Sequence, residues 1–293
     1  MKYKTPFTEM TGVEYPIVMG AFAGLGKADF AAPVSEAGCF GIITAHNFKS
    51  IDKFRAELDK MQSLTSKPFG VNFSIGPPGD RFRHFMREDD FMPYVEVAID
   101  YGVKVCTTSA YKGKKIADRL HEAGLRVIHK CATIHHAVSA AKYADAVVIV
   151  GIEGTGFKNP IQNTTLINMT VAKHLLNVPI IAAGGIADAR GFLSALMMGA
   201  SAVCFGTLLM ATTECPISEK FKKTQLVAQK GYNDQEFHQK IFHLSLKDSP
   251  VPSMAVSLIN EILPVKARIQ KILTEADEIL KQWSIQGDCL DLT

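Results

Sequence analysis

Two glycine sites carry the strongest chemical signal in the chain. Gly184 and Gly185 lie in "IIAAGGIADARGF", and Gly206 with Thr207 follows one helix later in "AVCFGT". Each site ends a short apolar run. Glycine there lets the backbone approach an anion that a Cβ would hold off. Backbone N–H groups can then cradle a phosphate, and Thr207 adds a hydroxyl donor. Tight packing at strand ends is the competing explanation, and it would suffice for a single Gly-Gly. Two such sites at the ends of successive runs favour phosphate.

Other residues end other runs. "YPIVMGAF" places Gly20 and Ala21 where a flat ring could lie against small residues, although a tight turn explains them equally well. Asn72 ends "PFGVNF" among apolar neighbours. A buried amide needs partners, so it is either a ligand contact or a backbone clamp. "VIHKCA" supplies His129 and Lys130. Adjacent strand residues face opposite sides, so at most one of the two points inward. An inward Lys130 would meet a negative ligand group, since lysine is almost never buried without a partner. His129 is a candidate acid–base group, but the reading as a satisfied core histidine is favoured. Glu153, in "VGIEGTGFKNP", either accepts hydrogen bonds from a ligand or ties down its own loop. His135 and His136 fall on a helical stretch and read as surface residues. No HExxH or CxxC spacing occurs, so no metal is expected. The cysteines lack a paired base, and none reads as a nucleophile.

The elements that must position these residues are legible from the apolar runs. These are "YPIVMG" (15–20), "FGIITA" (40–45), "PFGVNF" (68–73), "VKVCTT" (103–108), "LRVIHKC" (125–131), "DAVVIVG" (145–151), "VPIIAAG" (178–184) and "SAVCFG" (201–206). Most are apolar at nearly every position, as parallel strands buried on both faces are. Helical segments separate them, several ending in a capping glycine at 38, 102, 124 or 199. Run starts are about 20 to 35 residues apart, a βα repeat. Eight units in a row predict a (β/α)₈ TIM barrel in preference to a doubly wound open sheet. Residues 1–215 would form the barrel. Residues 216–293 would be a helical C-terminal extension packed on it, with no further strand pair after Thr207. Residues 74–91 would be a long loop on the C-terminal face, where barrels keep their active sites.

Composition sets bounds. The 293 residues are 47% hydrophobic and 21% charged, with a formal net charge of +3. That balance suits a soluble globular protein and argues against a dedicated nucleic-acid or membrane-surface role. Six unpaired cysteines, and an N-terminus lacking the apolar stretch of a signal peptide, suggest a cytoplasmic protein with reduced thiols.

Together the blocks "PIVMGAF", "AGCFGIITA", "KPFGVNF", "ADAVVIVGIEGTG", "VPIIAAGGIADARGF" and "MGASAVCFGTLLMATTECPI" follow the order seen in the nitronate monooxygenase family, also called 2-nitropropane dioxygenases. The chain resembles that family over roughly residues 6 to 225, and its relatives include FMN-dependent enoyl-acyl-carrier-protein reductases. "RVIHKCATIHHA" is similar to a subgroup known only as NAD(P)H-dependent flavin oxidoreductases. The resemblance implies an FMN-binding barrel. Its phosphate would lie at Gly184, Gly185, Gly206 and Thr207. Its ring would lie over Ala21 and Phe22, near Asn72 and Lys130, with Glu153 and Gly154 at its border. Many members read E-A-G-G-H in that last loop. Here the stretch is Glu153, Gly154, Thr155, Gly156, Phe157, so phenylalanine replaces a histidine and can neither move a proton nor donate a hydrogen bond. Lys158 is the candidate to return a donor to the mouth.

The expected function is FMN-dependent oxidoreduction with a small-molecule substrate. One route oxidises a nitronate-like carbanion. The other reduces an activated C=C, such as a CoA or carrier-protein enoyl thioester or an enone, with NAD(P)H as reductant. Arg81, Arg83, His84 and Arg87 could hold an anionic tail of such a thioester, or simply be a solvated charged loop. A non-flavin lyase or isomerase acting on a phosphate substrate, and a non-catalytic flavin binder, are the alternatives. The amphipathic C-terminal helix could pack on its own barrel or on a second copy in a homodimer.

Overall fold

Strands that must bury both faces need no polar alternation, and the computed structural model of this chain contains eight of them. It describes residues 1–77, 86–155, 161–227, 253–283, 285 and 287–293. After a short strand β1 (Lys2–Lys4) come β2 (Ile17–Met19), β3 (Gly41–Thr44), β4 (Phe69–Ile75) and β5 (Val105–Ala110). Then follow β6 (Arg126–Cys131), β7 (Ala146–Val150), β8 (Ile180–Ala183) and β9 (Ala202–Phe205). Strands β2 to β9 pair in parallel in the order β2-β9-β8-β7-β6-β5-β4-β3. A bridge between Val18 and Phe40, with the Met19 N–H donating to the Phe40 carbonyl at 2.9 Å, brings the two remaining edges together. This is the TIM barrel expected from the sequence.

Helices alternate with the strands: Ala28–Glu36, Ile51–Leu64, Glu88–Asp100, Lys114–Glu122, Ile134–Ala140, Thr165–Leu175, Ala189–Met197 and the short Thr207–Met210. Four begin on a side-chain cap, in which Ser50, Thr133, Thr164 and Asp188 accept a backbone N–H three residues on. Such caps satisfy donors the first turn cannot pair internally. The glycines at 38, 102, 124 and 199 all have positive φ, between 69° and 91°, as their capping role requires.

Strand side chains sort into two cores. Val18, Ile42, Val105, Ile128, Val148, Ile181, Ala202 and Cys204 fill the barrel interior. Their alternate neighbours, such as Ile43, Val71, Val127, Ile149 and Val203, pack outward against the helices. Phe7, from the helix Pro6–Thr11, plugs the bottom of the barrel against Phe40, with ring centroids 6.0 Å apart.

Beyond β9 the described chain has the helical turns Glu219–Phe221, Lys222–Leu226 and Met254–Leu258, then the helix Val265–Gln282. The last helix packs on Ala28–Glu36 and Ala189–Met197, burying Ile269, Ile272, Ala276 and Leu280 in the same core. One expectation needs correction: the tail does carry a strand. β10 (Cys289–Asp291) pairs in parallel with β1, with Tyr3 opposite Leu290. Each strand is only three residues long with both ends exposed, too short for a periodic signal. Tyr3 anchors the pair through an edge contact with Phe192 at 5.4 Å. No described helix is long and apolar enough to cross a membrane.

Candidate functional site

The upper half of the barrel interior turns polar on three neighbouring strands. Alternation from the apolar interior positions brings Asn72 and Ser74 of β4, Thr107 and Ser109 of β5, and Lys130 of β6 to the same side. Thr107 donates its hydroxyl to Asn72 Oδ1 at 2.9 Å. Asn72 Nδ2 donates to Ser74 Oγ at 2.8 Å, and Ser74 and Ser109 share a hydrogen bond at 3.1 Å. The partners of Asn72 are thus side chains on its own and the next strand. Ser109 stands beside Lys130 in the register. Just past it, Ala110 has a φ of 74°, the one positive-φ non-glycine among the described residues. Backbone held in that region concentrates where a site needs it.

β6 separates its two titratable residues by alternation. Lys130 faces inward and is half-buried. Burial pushes the thiol of Cys204, an interior residue of β9, up, and the Lys130 charge offsets part of that rise. His129 faces the helical layer. Its Nδ1 lies 2.7 Å from Thr108 Oγ1, and its ring stands edge-on to Tyr143 at 5.6 Å. Burial, with a smaller contribution from His136, pushes its pKa down to about 4. The acid–base candidacy of His129 has no support in this geometry, because the strand itself stands between the ring and the mouth.

The loops after β7, β8 and β9 meet around Thr165. Glu153 turns its carboxylate to the first turn of the helix Thr165–Leu175 and accepts the Thr165 N–H at 3.0 and 3.1 Å. The Thr165 hydroxyl lies 3.2 Å from Glu153 Oε2 and 2.8 Å from the Gly184 carbonyl. Glu153 therefore ties down its own loop. Gly184 has a φ of 100°, and a Cβ there would come within 3.0 Å of both Gly151 N and O. At Gly185 (φ 75°) a Cβ would press on Glu153 Cβ at 3.2 Å, and at Gly154 it would reach Val150 Cγ1 at 2.6 Å. Packing thus accounts for these three glycines. Gly206 differs. Its φ is −104°, and a Cβ would meet nothing within 4 Å. Its backbone borders open space beside Thr207, whose Oγ1 accepts from the N–H and hydroxyl of Ser253 at 3.2 and 2.9 Å.

Beside β9, Ala21 and Phe22 lie in the loop after β2, where the Gly20 N–H donates to the Phe205 carbonyl at 2.9 Å. Asn47 holds that loop, accepting the Gly24 N–H at 2.6 Å and donating to the carbonyls of Phe22 and Gly26 at 3.1 and 3.2 Å. The Phe22 ring packs on Phe30 at 5.5 Å. Thr44 Oγ1 and His46 Nδ1, at and just after the end of β3, are buried with no hydrogen-bond partner among the described residues.

Gly156, Phe157 and Lys158 lie outside the described residues, as do Arg81, Arg83 and His84. Ser74, Thr107, Ser109, Asn47 and Ser253 escape the sequence reading. For the first three the only available signal is alternation at strand ends, in "VNFSI" and "VCTTSA". Among the described residues no group of His, Cys, Asp and Glu could hold a metal. Burial pushes the thiols of Cys39, Cys106 and Cys131 up, so none of them is poised as a nucleophile.

The chain matches the nitronate monooxygenase family over residues 4–241. It is 32% identical over 232 residues to the (3aS,4S,5R,7aS)-5-hydroxy-7a-methyl-1-oxo-octahydro-1H-indene-4-carboxyl-CoA dehydrogenase of Mycobacterium tuberculosis (strain ATCC 25618 / H37Rv). That match covers 78% of this chain but only 61% of the relative's length. A probable nitronate monooxygenase of Staphylococcus haemolyticus (strain JCSC1435) is 28% identical, with 77% of this chain and 73% of that one covered. Among solved structures, the M276A mutant of FabK from Thermotoga maritima superposes with a TM-score of 0.80 at 29% identity, covering 96% of this chain and 99% of that one.

Proposed function

We propose a function from one premise: the chain belongs to the nitronate monooxygenase family. On our reading it is an FMN-dependent oxidoreductase. One observation carries this reading. The polar wall of Asn72, Ser74, Thr107, Ser109 and Lys130 and the open space at Gly206 and Thr207 sit on different strands of one barrel mouth. FMN likewise has a polar ring edge at one end and a phosphate at the other.

The residues fit the group. When bound, a flavin supplies two-electron chemistry at its N5 position. The protein's part is to hold and orient. Asn72 and its hydroxyl neighbours would meet the polar ring edge, and Lys130 would set a positive charge beside it. Ala21 and Phe22 would border the ring. Thr207 and the backbone at Gly206 would receive the phosphate, with Gly184 and Gly185 shaping the adjoining loop. Glu153 acts one step back, fixing the β7 loop through Thr165. We take residues 1–215 as the FMN-binding barrel and 216–293 as its extension.

For the substrate, the similarity to the mycobacterial carboxyl-CoA dehydrogenase favours a CoA-type thioester over a free nitronate. We therefore place reduction of an activated C=C in a thioester or enone, with NAD(P)H, ahead of nitronate oxidation. The test is the visible spectrum of the purified protein, followed by anaerobic NADH or NADPH. A two-band flavin spectrum that bleaches supports the reductase. A flavin that bleaches only with a nitronate supports the oxidation route, and one that bleaches with neither indicates a flavin binder. A colourless protein that takes up no added FMN returns the barrel to a lyase or isomerase acting on a phosphate substrate.

A further inference from the structure

We infer that Ser253 is a positioning residue for the phosphate end of the cofactor site, acting through the Thr207 hydroxyl. The inference rests on the FMN reading above. A threonine hydroxyl has one proton to donate and two lone pairs to accept with. At Thr207 both lone pairs are taken by one residue, since the Ser253 N–H and hydroxyl donate at 3.2 and 2.9 Å. The Ser253 hydroxyl in turn accepts the Ala255 N–H at 3.3 Å. The hydrogen bonds run in one direction, from the Ala255 N–H through Ser253 to Thr207. The one function of Thr207 left over is its own proton, which has no partner among the described residues.

Both residues are buried, Thr207 at 3% and Ser253 at 5% exposure. A buried donor without a partner is costly, so the proton needs an acceptor. The open space is next door, at Gly206. An anion seated there would accept from a hydroxyl already polarised by two incoming hydrogen bonds. Ser253 thus turns Thr207 from an ambivalent hydroxyl into a committed donor. The adjoining residue holds the same turn from the other side, since the Met254 N–H donates to the Glu153 carbonyl at 2.9 Å. Ser253 and Met254 therefore join the loops after β9 and β7.

The experiment compares two ligands that differ only in the phosphate. Dissociation constants for FMN and for riboflavin are measured by flavin fluorescence on the full-length apoprotein, in wild type, Ser253→Ala, Ser253→Cys and Ser253→Thr. Ser253→Cys keeps the shape with a weak donor, which covers failure of the alanine variant to fold. The expected result is FMN affinity about tenfold lower in the alanine and cysteine variants, unchanged riboflavin affinity, and FMN affinity kept by Ser253→Thr. Equal weakening toward both flavins in folded Ser253→Cys would mean a purely structural role and overturns the inference. So does FMN binding at wild-type strength in either variant. Wild type that binds neither flavin sinks the FMN reading itself, and that outcome is distinct because no variant is needed to see it.

Discussion

Thr107 donates its hydroxyl proton to the side-chain carbonyl of Asn72 at 2.9 Å, from the neighbouring strand and at the same level of the register. The bond fixes which way the Asn72 amide faces, and its NH₂ is thereby directed to Ser74. Asn72→Leu leaves the buried Thr107 hydroxyl and the half-buried Ser74 hydroxyl each short of a partner. The expected loss is about 1–3 kcal/mol in urea unfolding. Adding Thr107→Val should recover part of it, because the two positions share one bond and are coupled.

Gly184 and Gly206 should answer alanine differently. At Gly184 the backbone is left-handed and a Cβ would collide with Gly151, so Gly184→Ala lowers the Tm of the apoprotein. At Gly206 the Cβ has room, so Gly206→Ala lowers that Tm less than Gly184→Ala does but weakens FMN binding. Differential scanning calorimetry and a flavin titration on both variants separate the two roles. An equal fall in apoprotein Tm would remove the distinction.

His129 makes stability depend on pH in a defined window. Its folded pKa is depressed from 6.5 to about 4, so the unfolded chain takes up the proton first as the solution is acidified. Its stabilisation is complete above the unfolded value and lost as pH falls through this range, amounting to roughly 3 kcal/mol. His129→Gln should flatten that part of the profile. Urea midpoints at about pH 7 and about pH 4.5 give the comparison. Parallel slopes in variant and wild type would assign the acid sensitivity elsewhere.

Lys130→Met removes the one cation on the polar wall. If FMN lies against that wall, its reduction potential falls, by about 30–60 mV for a loss of one or two tenfold steps in a two-electron equilibrium. A redox titration of the bound flavin reads the shift directly. An unchanged potential would place the ring away from Lys130.

The barrel is legible in the sequence because its strands are buried on both faces, which leaves runs such as "AVVIV" with nothing polar in them. The opposite faces of His129 and Lys130 follow from the pleat alone. Glu153 is harder. Its role depends on Thr165, twelve residues on, and either role suits a carboxylate after a strand. Ser74, Thr107 and Ser109 are common residue types whose meaning appears only when three strands are in register. Ser253 lies 46 residues from Thr207, so no local pattern links them. The termini were illegible for a related reason, since each strand of the β1–β10 pair exists only because the other is there.

That small sheet has a consequence for the order of events on the ribosome. Lys4 and Asp291, paired at its edge, are 287 positions apart. β1 has no strand partner until β10 has been made, and an unpaired strand edge can recruit another chain in the meantime. Its exposed lysines, Lys2 and Lys4, flank the single buried Tyr3 and blunt that edge by charge. β1 is thus guarded by charge across the interval that separates it from its partner, and its place in the structure is settled only when β10 arrives.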